Sequence, residues 1–214
     1  MPNLALIACA VYIAVAFGLR SIVHHRRTGT TGFVGVVGKR PGSIEWLAGA
    51  LFVAALLGGF AAPIAQLAGF VRPWSEPSDR AVHALGLVAF AVGLAGTLWA
   101  QLAMGDSWRI GVDGEARTDL VATGPFRWVR NPIYSWMVVA SGGLVLLAPN
   151  LLAVVSLVAL LVALEIQVRA VEEPYLLRTH GDAYRRYAAS TGRFLPGIGR
   201  GTLPGRGGSR LAEG

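Results

Sequence analysis

Residues 119–134 read Asp-Leu-Val-Ala-Thr-Gly-Pro-Phe-Arg-Trp-Val-Arg-Asn-Pro-Ile-Tyr. The segment is polar, is broken at Gly124-Pro125 and again at Asn131-Pro132, and leads into an apolar run from Ile133. Spanning a bilayer does not require Arg127, Arg130 and Asn131 at the mouth of a helix, because charge at membrane depth is costly. Such a connector either anchors the chain at the headgroups or builds a site there. Snorkelling accounts for Arg127 and Trp128. It does not account for two proline bends, which free backbone groups at a depth where they are tolerated only around a cavity or inside protein. The bends favour a site.

Outward from this segment, the composition is that of an integral membrane protein. The chain has 214 residues, 54% hydrophobic and 14% charged, with mean hydropathy +0.54, against about 25% charged in soluble domains. A spanning helix takes about 20 apolar residues. Candidate runs are Leu4 to Val23, Ile44 to Val71, Ala81 to Met104, the shorter Ile133 to Ala148, and one from Leu151 that stays apolar to Leu164. Pro63 is expected to kink the second run or end its regular part. Pro149-Asn150 marks a turn that makes the last two an antiparallel hairpin. The fold expected is all-α: a polytopic membrane bundle of about five transmembrane helices with a cytoplasmic C-terminal helix.

All but Arg72 and Arg80 of the 19 Lys and Arg residues lie after the first run, in the 105–130 connector, or from Arg169 onward. Basic residues collect in cytoplasmic loops, so the N-terminus is expected outside and the connector and C-terminus inside. The same topology explains the net charge of +7 without nucleic acid. The N-terminus lacks a basic region ahead of its apolar stretch and reads as a retained helix, not a signal peptide. Cys9 is the single cysteine, so there is no disulfide framework. No metal-spaced His/Cys/Asp/Glu set, GxGxxG or P-loop occurs, and His24 and His25 read as surface residues.

A second polar block begins inside the last apolar run. Glu165, Arg169, Glu172 and Leu176 follow i, i+4, i+7, i+11 spacing and would share one helical face, with Glu173 beside it. Glu165 and Arg169 read equally as an interfacial ion pair or as part of a site. The adjacent acids Glu172 and Glu173 need partners, for which Arg127 and Arg130 are candidates. Pro174 suits the first turn of a new helix. Trp108-Arg109 either anchors the third helix or lines the cavity. Arg185, Arg186 and Arg193 read as lipid-facing charge, or as a site for a substrate carboxylate or phosphate.

Gly124-Pro125-Phe126-Arg127-Trp128-Val129-Arg130-Asn131-Pro132-Ile133-Tyr134 resembles the Gly-Pro-Tyr-x-x-x-Arg-His-Pro-x-Tyr signature of isoprenylcysteine carboxyl methyltransferases, shared with related phospholipid N-methyltransferases. Arg169-x-x-Glu172-Glu173, Leu176, His180-Gly181, Tyr184, Tyr187 and Arg193-Phe194-Leu195-Pro196 resemble the family's second block in order and spacing. The likeness covers roughly residues 80–197. It implies an integral membrane methyltransferase that uses S-adenosyl-L-methionine without a Rossmann-type domain. Residues 1–80 would then be an N-terminal transmembrane hairpin region shaping the acceptor side, 81–197 the methyltransferase core, and 198–214 a disordered basic tail.

Carried over, the resemblance implies that Gly124, Pro125, Arg130, Asn131, Pro132 and Tyr134 border the cofactor and that Glu172 and Glu173 bind its polar groups. Arg169 or Arg193 would meet an anionic substrate group. Asn131 stands where the family pattern has histidine; it donates and accepts hydrogen bonds but does not titrate near neutrality, so no base is expected there. Glu165 is the buried candidate for a base. The acceptor implied is a small lipophilic carboxylate, phenol or amine, with membrane lipid as the partner. An Arg- and Gly-rich composition is compatible with a high-GC bacterium and hence a bacterial plasma membrane. Membrane sterol reductases carry a similar Arg-His-x-x-Tyr stretch and use NADPH, and a non-catalytic membrane protein could keep the same fold; cofactor binding separates these readings.

Overall fold

The computed structural model of the chain describes residues 1–32, 40–74, 79–108 and 119–201. Among them run α1 (Pro2–Thr28), α2 (Ile44–Leu67), α3 (Arg80–Ala103), the shorter α4 (Pro132–Leu147), α5 (Leu151–Ile166) and α6 (Glu173–Ser190). A π-helical turn, Gln167–Glu172, joins α5 to α6 without a loop. Four continuous helices, Pro2–Thr28, Ile44–Leu67, Arg80–Ala103 and Leu151–Ser190, are long and apolar enough to cross a membrane. The all-α bundle expected from the hydropathy pattern is what forms, with α4 the short member.

Local chemistry sets the helix ends. The Ser43 and Asp79 side chains accept from the amides of Trp46 and Val82, capping α2 and α3. Pro132 sits in the first turn of α4 and Pro174 in the first turn of α6, where a missing N–H costs nothing. Pro63 does not end the helix, and α2 runs on through it to Leu67. Proline cannot donate to the carbonyl four residues back. The Cys9 thiol of α1 donates to that Gly59 carbonyl instead, at 3.6 Å.

Lipid supplies little drive for helices to associate, so close packing and internal hydrogen bonds must do so. The two most extensive helix pairs are α3 with α4 and α2 with α5. Gly93 is where the first pair comes closest: a Cβ there would lie 2.3 Å from the Ala140 amide nitrogen. Between α1 and α3 runs a polar ladder. The Thr97 hydroxyl donates to the Gly93 carbonyl, leaving the Tyr12 hydroxyl to donate to Thr97 at 3.1 Å. Gln101 Nε2 then donates to the Ala16 carbonyl, and Arg20 Nη2 to the Gly105 carbonyl at 2.7 Å. The core between them is alanine-rich and filled by Phe90, Met137, Leu147, Leu160 and Leu164.

At one end of the bundle the buried Asn150 caps α5 through the Ala153 amide and donates to the Ala62 carbonyl and Gln66, fastening the α4–α5 turn to α2. The C-termini of α1, α3 and α5 and the N-termini of α2 and α4 meet at the other end, beside α6. Both polar blocks of the sequence fall there.

Gly93→Ala should lower stability by about 1–3 kcal/mol, the usual cost of overpacking. Thermal unfolding in detergent reads this directly, and an unchanged midpoint would show that α3 and α4 can part without loss.

Candidate active site

The connector reaches this end through a tight turn. Gly124 takes φ 57°, in the left-handed region open to glycine, and starts a 3₁₀ turn, Gly124–Arg127, that buries Pro125 and Phe126. The chain then pairs with the segment after α6. Val129 lies in a parallel bridge with Gly192; the Arg130 amide donates to the Gly192 carbonyl at 2.8 Å and the Asn131 amide to the Arg193 carbonyl at 3.1 Å. Asn131 Nδ2 also donates to the Arg193 carbonyl, Ser135 Oγ to the Phe194 carbonyl, and the Tyr187 hydroxyl to the Phe126 carbonyl.

One carboxylate closes this arrangement. Glu173 Oε1 accepts from Arg130 Nη2 and Arg193 Nε, each at 2.8 Å, and Oε2 accepts from Arg193 Nη2 at 3.0 Å. Both side chains of the Arg130–Glu173 pair are buried. The rest of the Arg130 fork goes to backbone: Nη1 to the carbonyls of Ala188 and Thr191, Nη2 also to that of Gly199. Its hydrogen bond to Glu173 holds the Arg193 guanidinium above the ordinary arginine value, although partial burial opposes this. The carboxylate and the Arg130 Nη groups are satisfied within the cluster, while the buried Arg130 Nε has no partner among the described residues.

Glu172 has a different task. Its Oε1 accepts from the Tyr134 hydroxyl at 2.5 Å and from Gln167 Nε2 at 3.2 Å. Its Oε2 has no partner among the described residues. Glu172 borders a cavity of about 590 Å³, within the usual range for small-molecule sites. Arg130, Asn131, Pro132 and Tyr134 border it too, with Tyr184 and Tyr187. Away from this polar end the wall turns apolar: Phe17 of α1, Phe52 and Leu56 of α2, Met137 of α4 and Leu164 of α5.

Several expectations change. Glu165 is not buried in the cavity: it pairs with Arg169 on the outside of the bundle, with side chains 45% and 60% exposed. Neither borders the cavity. The π turn is the reason, since its wider winding breaks the i, i+4, i+7 register that would have put these two on one face with Glu172. Arg193 is not lipid-facing but clamped to Glu173. Arg127 does not partner the acids; it stacks on Trp128, which faces outward beside Trp99. Gly124 and Pro125 shape the turn without bordering the cavity.

His24 is buried, edge-on to Trp108, with Arg20 stacked over the same indole at 4.9 Å. Trp108 itself is buried and borders the cavity, whereas Arg109 lies outside the described residues. The tail expectation changes in part. Gly199 accepts from Arg130 and the Gly201 amide donates to the Ala188 carbonyl, so residues 198–201 are fixed to the site; residues 202–214 lie outside the described residues.

Four cavity residues were missed. Glu45 and Asp119 border the cavity without an ion-pair partner among the described residues, and Gln101 and Gln167 line its polar end. Glu45 follows a Ser N-cap at the start of an apolar run, and that was its one sequence signal. Among the described residues Arg130 is the only cationic side chain on the wall, and it is committed. Those residues hold no group of three or more potential metal ligands.

Glu173→Gln leaves two guanidiniums without a counter-charge, and breaking a buried pair costs about 3–5 kcal/mol. Glu165→Gln removes an exposed pair worth about 0–1 kcal/mol. Detergent melting curves should therefore separate the variants clearly, and equal midpoints would contradict the assigned roles.

Residues 81–183 match the family model described as phospholipid methyltransferase. The chain shares its fold with the eukaryotic intramembrane Ras methyltransferase ICMT, isoprenylcysteine carboxyl methyltransferase, at a TM-score of 0.62 and 20% sequence identity. The match covers 93% of this chain and 69% of that one. No curated protein sequence matches. The core of this chain, residues 81–183, is thus similar to phospholipid methyltransferases, and its fold is that of an intramembrane methyltransferase.

Proposed function

We propose that the protein transfers a methyl group from S-adenosyl-L-methionine to a small lipophilic acceptor at the cytoplasmic face of its membrane. The observation that carries this is the Glu172 carboxylate, with one oxygen engaged by Tyr134 and Gln167 and the other uncommitted at the wall of a 590 Å³ cavity. The residues fit the cofactor. Uncommitted carboxylates at a polar end suit a ligand bearing an ammonium, a sulfonium and ribose hydroxyls. A phosphate-rich cofactor such as NADPH would want free cations, and the one wall cation among the described residues is already bound.

The cofactor supplies an electrophilic methyl group on a positively charged sulfur. The chain's own residues align and exclude water. Glu172 accepts from the ligand's donors, held in place by Tyr134. Arg130 with Glu173 fixes the connector against the 191–199 segment, closing the cavity on that side. Asn131, in place of histidine, gives Nδ2 to the Arg193 carbonyl and so helps hold that closure; it moves no proton. A carboxylate or phenolate acceptor needs no base. An amine or neutral hydroxyl would call on Glu45 or Asp119 at the cavity wall, not on Glu165.

In this reading residues 1–80 form the acceptor side and 81–197 the cofactor side. Arg26, Arg27, Arg40, Arg127 and Arg130 gather at the site end while Arg72 and Arg80 lie toward the other. The positive-inside rule therefore favours a cavity mouth that opens to the cytoplasm.

Calorimetry on detergent-purified protein should detect S-adenosylmethionine binding. Glu172→Gln should weaken it roughly tenfold to a hundredfold, from about 1.5–3 kcal/mol for a hydrogen bond to a charged group, with the melting temperature preserved. Absence of binding by the folded wild type would overturn the reading. Binding untouched by Glu172→Gln would move the cofactor elsewhere in the cavity.

A further inference from the structure

A second cavity, of about 60 Å³, lies between α1, α2, α4 and α5. It adjoins the first. Ile13, Leu56 and Met137 border both. Along α2 the first cavity takes Glu45 to Leu56 and the second Ala55 to Pro63. At 1.5 Å per residue, Glu45 to Pro63 spans about 27 Å, close to the thickness of a bilayer's hydrocarbon core.

The second cavity asks for little that is polar. The Tyr12 hydroxyl is spent on Thr97, Ser156 Oγ donates to the Leu152 carbonyl, and the Cys9 thiol donates to the Gly59 carbonyl. Ser141 adds one further hydroxyl to the wall. Water needs two to four polar partners to occupy such a space, more than a single hydroxyl supplies, so the natural occupant is hydrocarbon. Met137, unbranched and buried, stands between the two spaces, and a methionine side chain readily changes shape to admit a neighbour.

We propose that this second cavity receives the far end of the acceptor's hydrocarbon tail, with Met137 yielding to admit it, so that the protein selects acceptors by tail length. The inference rests on the proposed reading that the acceptor is lipophilic and reacts at the polar end. That arrangement puts a reacting headgroup beside Glu172 and gives its tail an apolar route that opens when Met137 yields. An accidental packing void would instead be indifferent to ligand.

Gly59 provides the test. Gly59 lies on the wall of the second cavity, and a Cβ added there meets nothing within 4 Å, so Gly59→Leu starts its side chain in open space and can occupy the cavity. The probes are saturated carboxylic acids and amines of octyl, dodecyl and hexadecyl length, each with a diazirine at the tail end. They are photolysed with the full chain in lipid nanodiscs, and the adducts are mapped by mass spectrometry.

The longest probes should label around Cys9 and Gly59, and the octyl probes around Phe52 and Met137. Gly59→Leu should abolish the deep adducts and weaken long-probe binding roughly fourfold for each methylene denied burial, leaving S-adenosylmethionine affinity unchanged. Wild-type labelling confined to lipid-facing surfaces would overturn the proposal, as would deep adducts that persist in a folded Gly59→Leu. Labelling requires no turnover. A failure of cofactor binding would therefore count against the methyltransferase reading alone, while the adduct map judges the tail site separately.

Discussion

Glu173 accepts hydrogen bonds from two arginines that lie 43 residues before it and 20 after it. A buried carboxylate is stable only when its partners are in place, so this one contact obliges the connector, α6 and the segment beyond α6 to meet. Arg130 extends the obligation by donating to the carbonyls of Ala188, Thr191 and Gly199, groups left open where α6 ends and the chain turns. The strand-like pairing of residues 129–131 with 192–193 is then a short backbone seam. The cavity has a closed polar end because these charges cannot be left apart.

Two adjacent acids come to do different work because of the winding between α5 and α6. The π turn closes its hydrogen bonds one residue farther along than a regular helix does, and it rotates α6 relative to α5. Glu165 and Arg169 stay outside, where they pair with each other. Glu173 turns into the cluster, and Glu172 turns toward Tyr134 and the cavity. Proline at position 174 fits at once, since it enters where a helix restarts.

The fold was largely legible because hydropathy dictates it. The runs, the Pro149-Asn150 turn and the gathering of both polar blocks at one end are dictated by residue type alone. The site was legible only in part. Arg130, Asn131, Pro132, Tyr134 and Glu172 could be named from their motif, but a π turn leaves no periodic signature, so a regular helix was extended through it and Glu165 was misplaced. At Pro63 the carbonyl that proline leaves open is taken by a thiol on another helix, and such a long-range contact is invisible in sequence. His24 looked like surface charge because Trp108, which buries it, lies 84 residues away. Asp119 carries no pattern beyond its charge, and Glu45 only its place two residues after a Ser N-cap.

The cavity's polarity is graded along the bundle, and the gradient bears on the chemistry. At the polar end the arginines are engaged by Glu173 and by carbonyls, while Glu172 keeps one open oxygen and Glu45 and Asp119 have no ion-pair partner among the described residues. The local field therefore favours a cation. The proposed methyl donor is cationic before transfer and neutral after it, so a field that binds the donor would release the spent form more readily. Farther in, the wall of the second cavity offers little beyond one serine hydroxyl, and nothing charged there competes for the acceptor's reactive group. In the proposed reading, a lipophilic acceptor would be sorted by solvation, its tail in the depth and its head at the carboxylate end. The deep walls come from α1, α2, α4 and α5, whereas the connector, the start of α4 and the α5–α6 junction supply the polar end. The family match begins at residue 81, after α1 and α2.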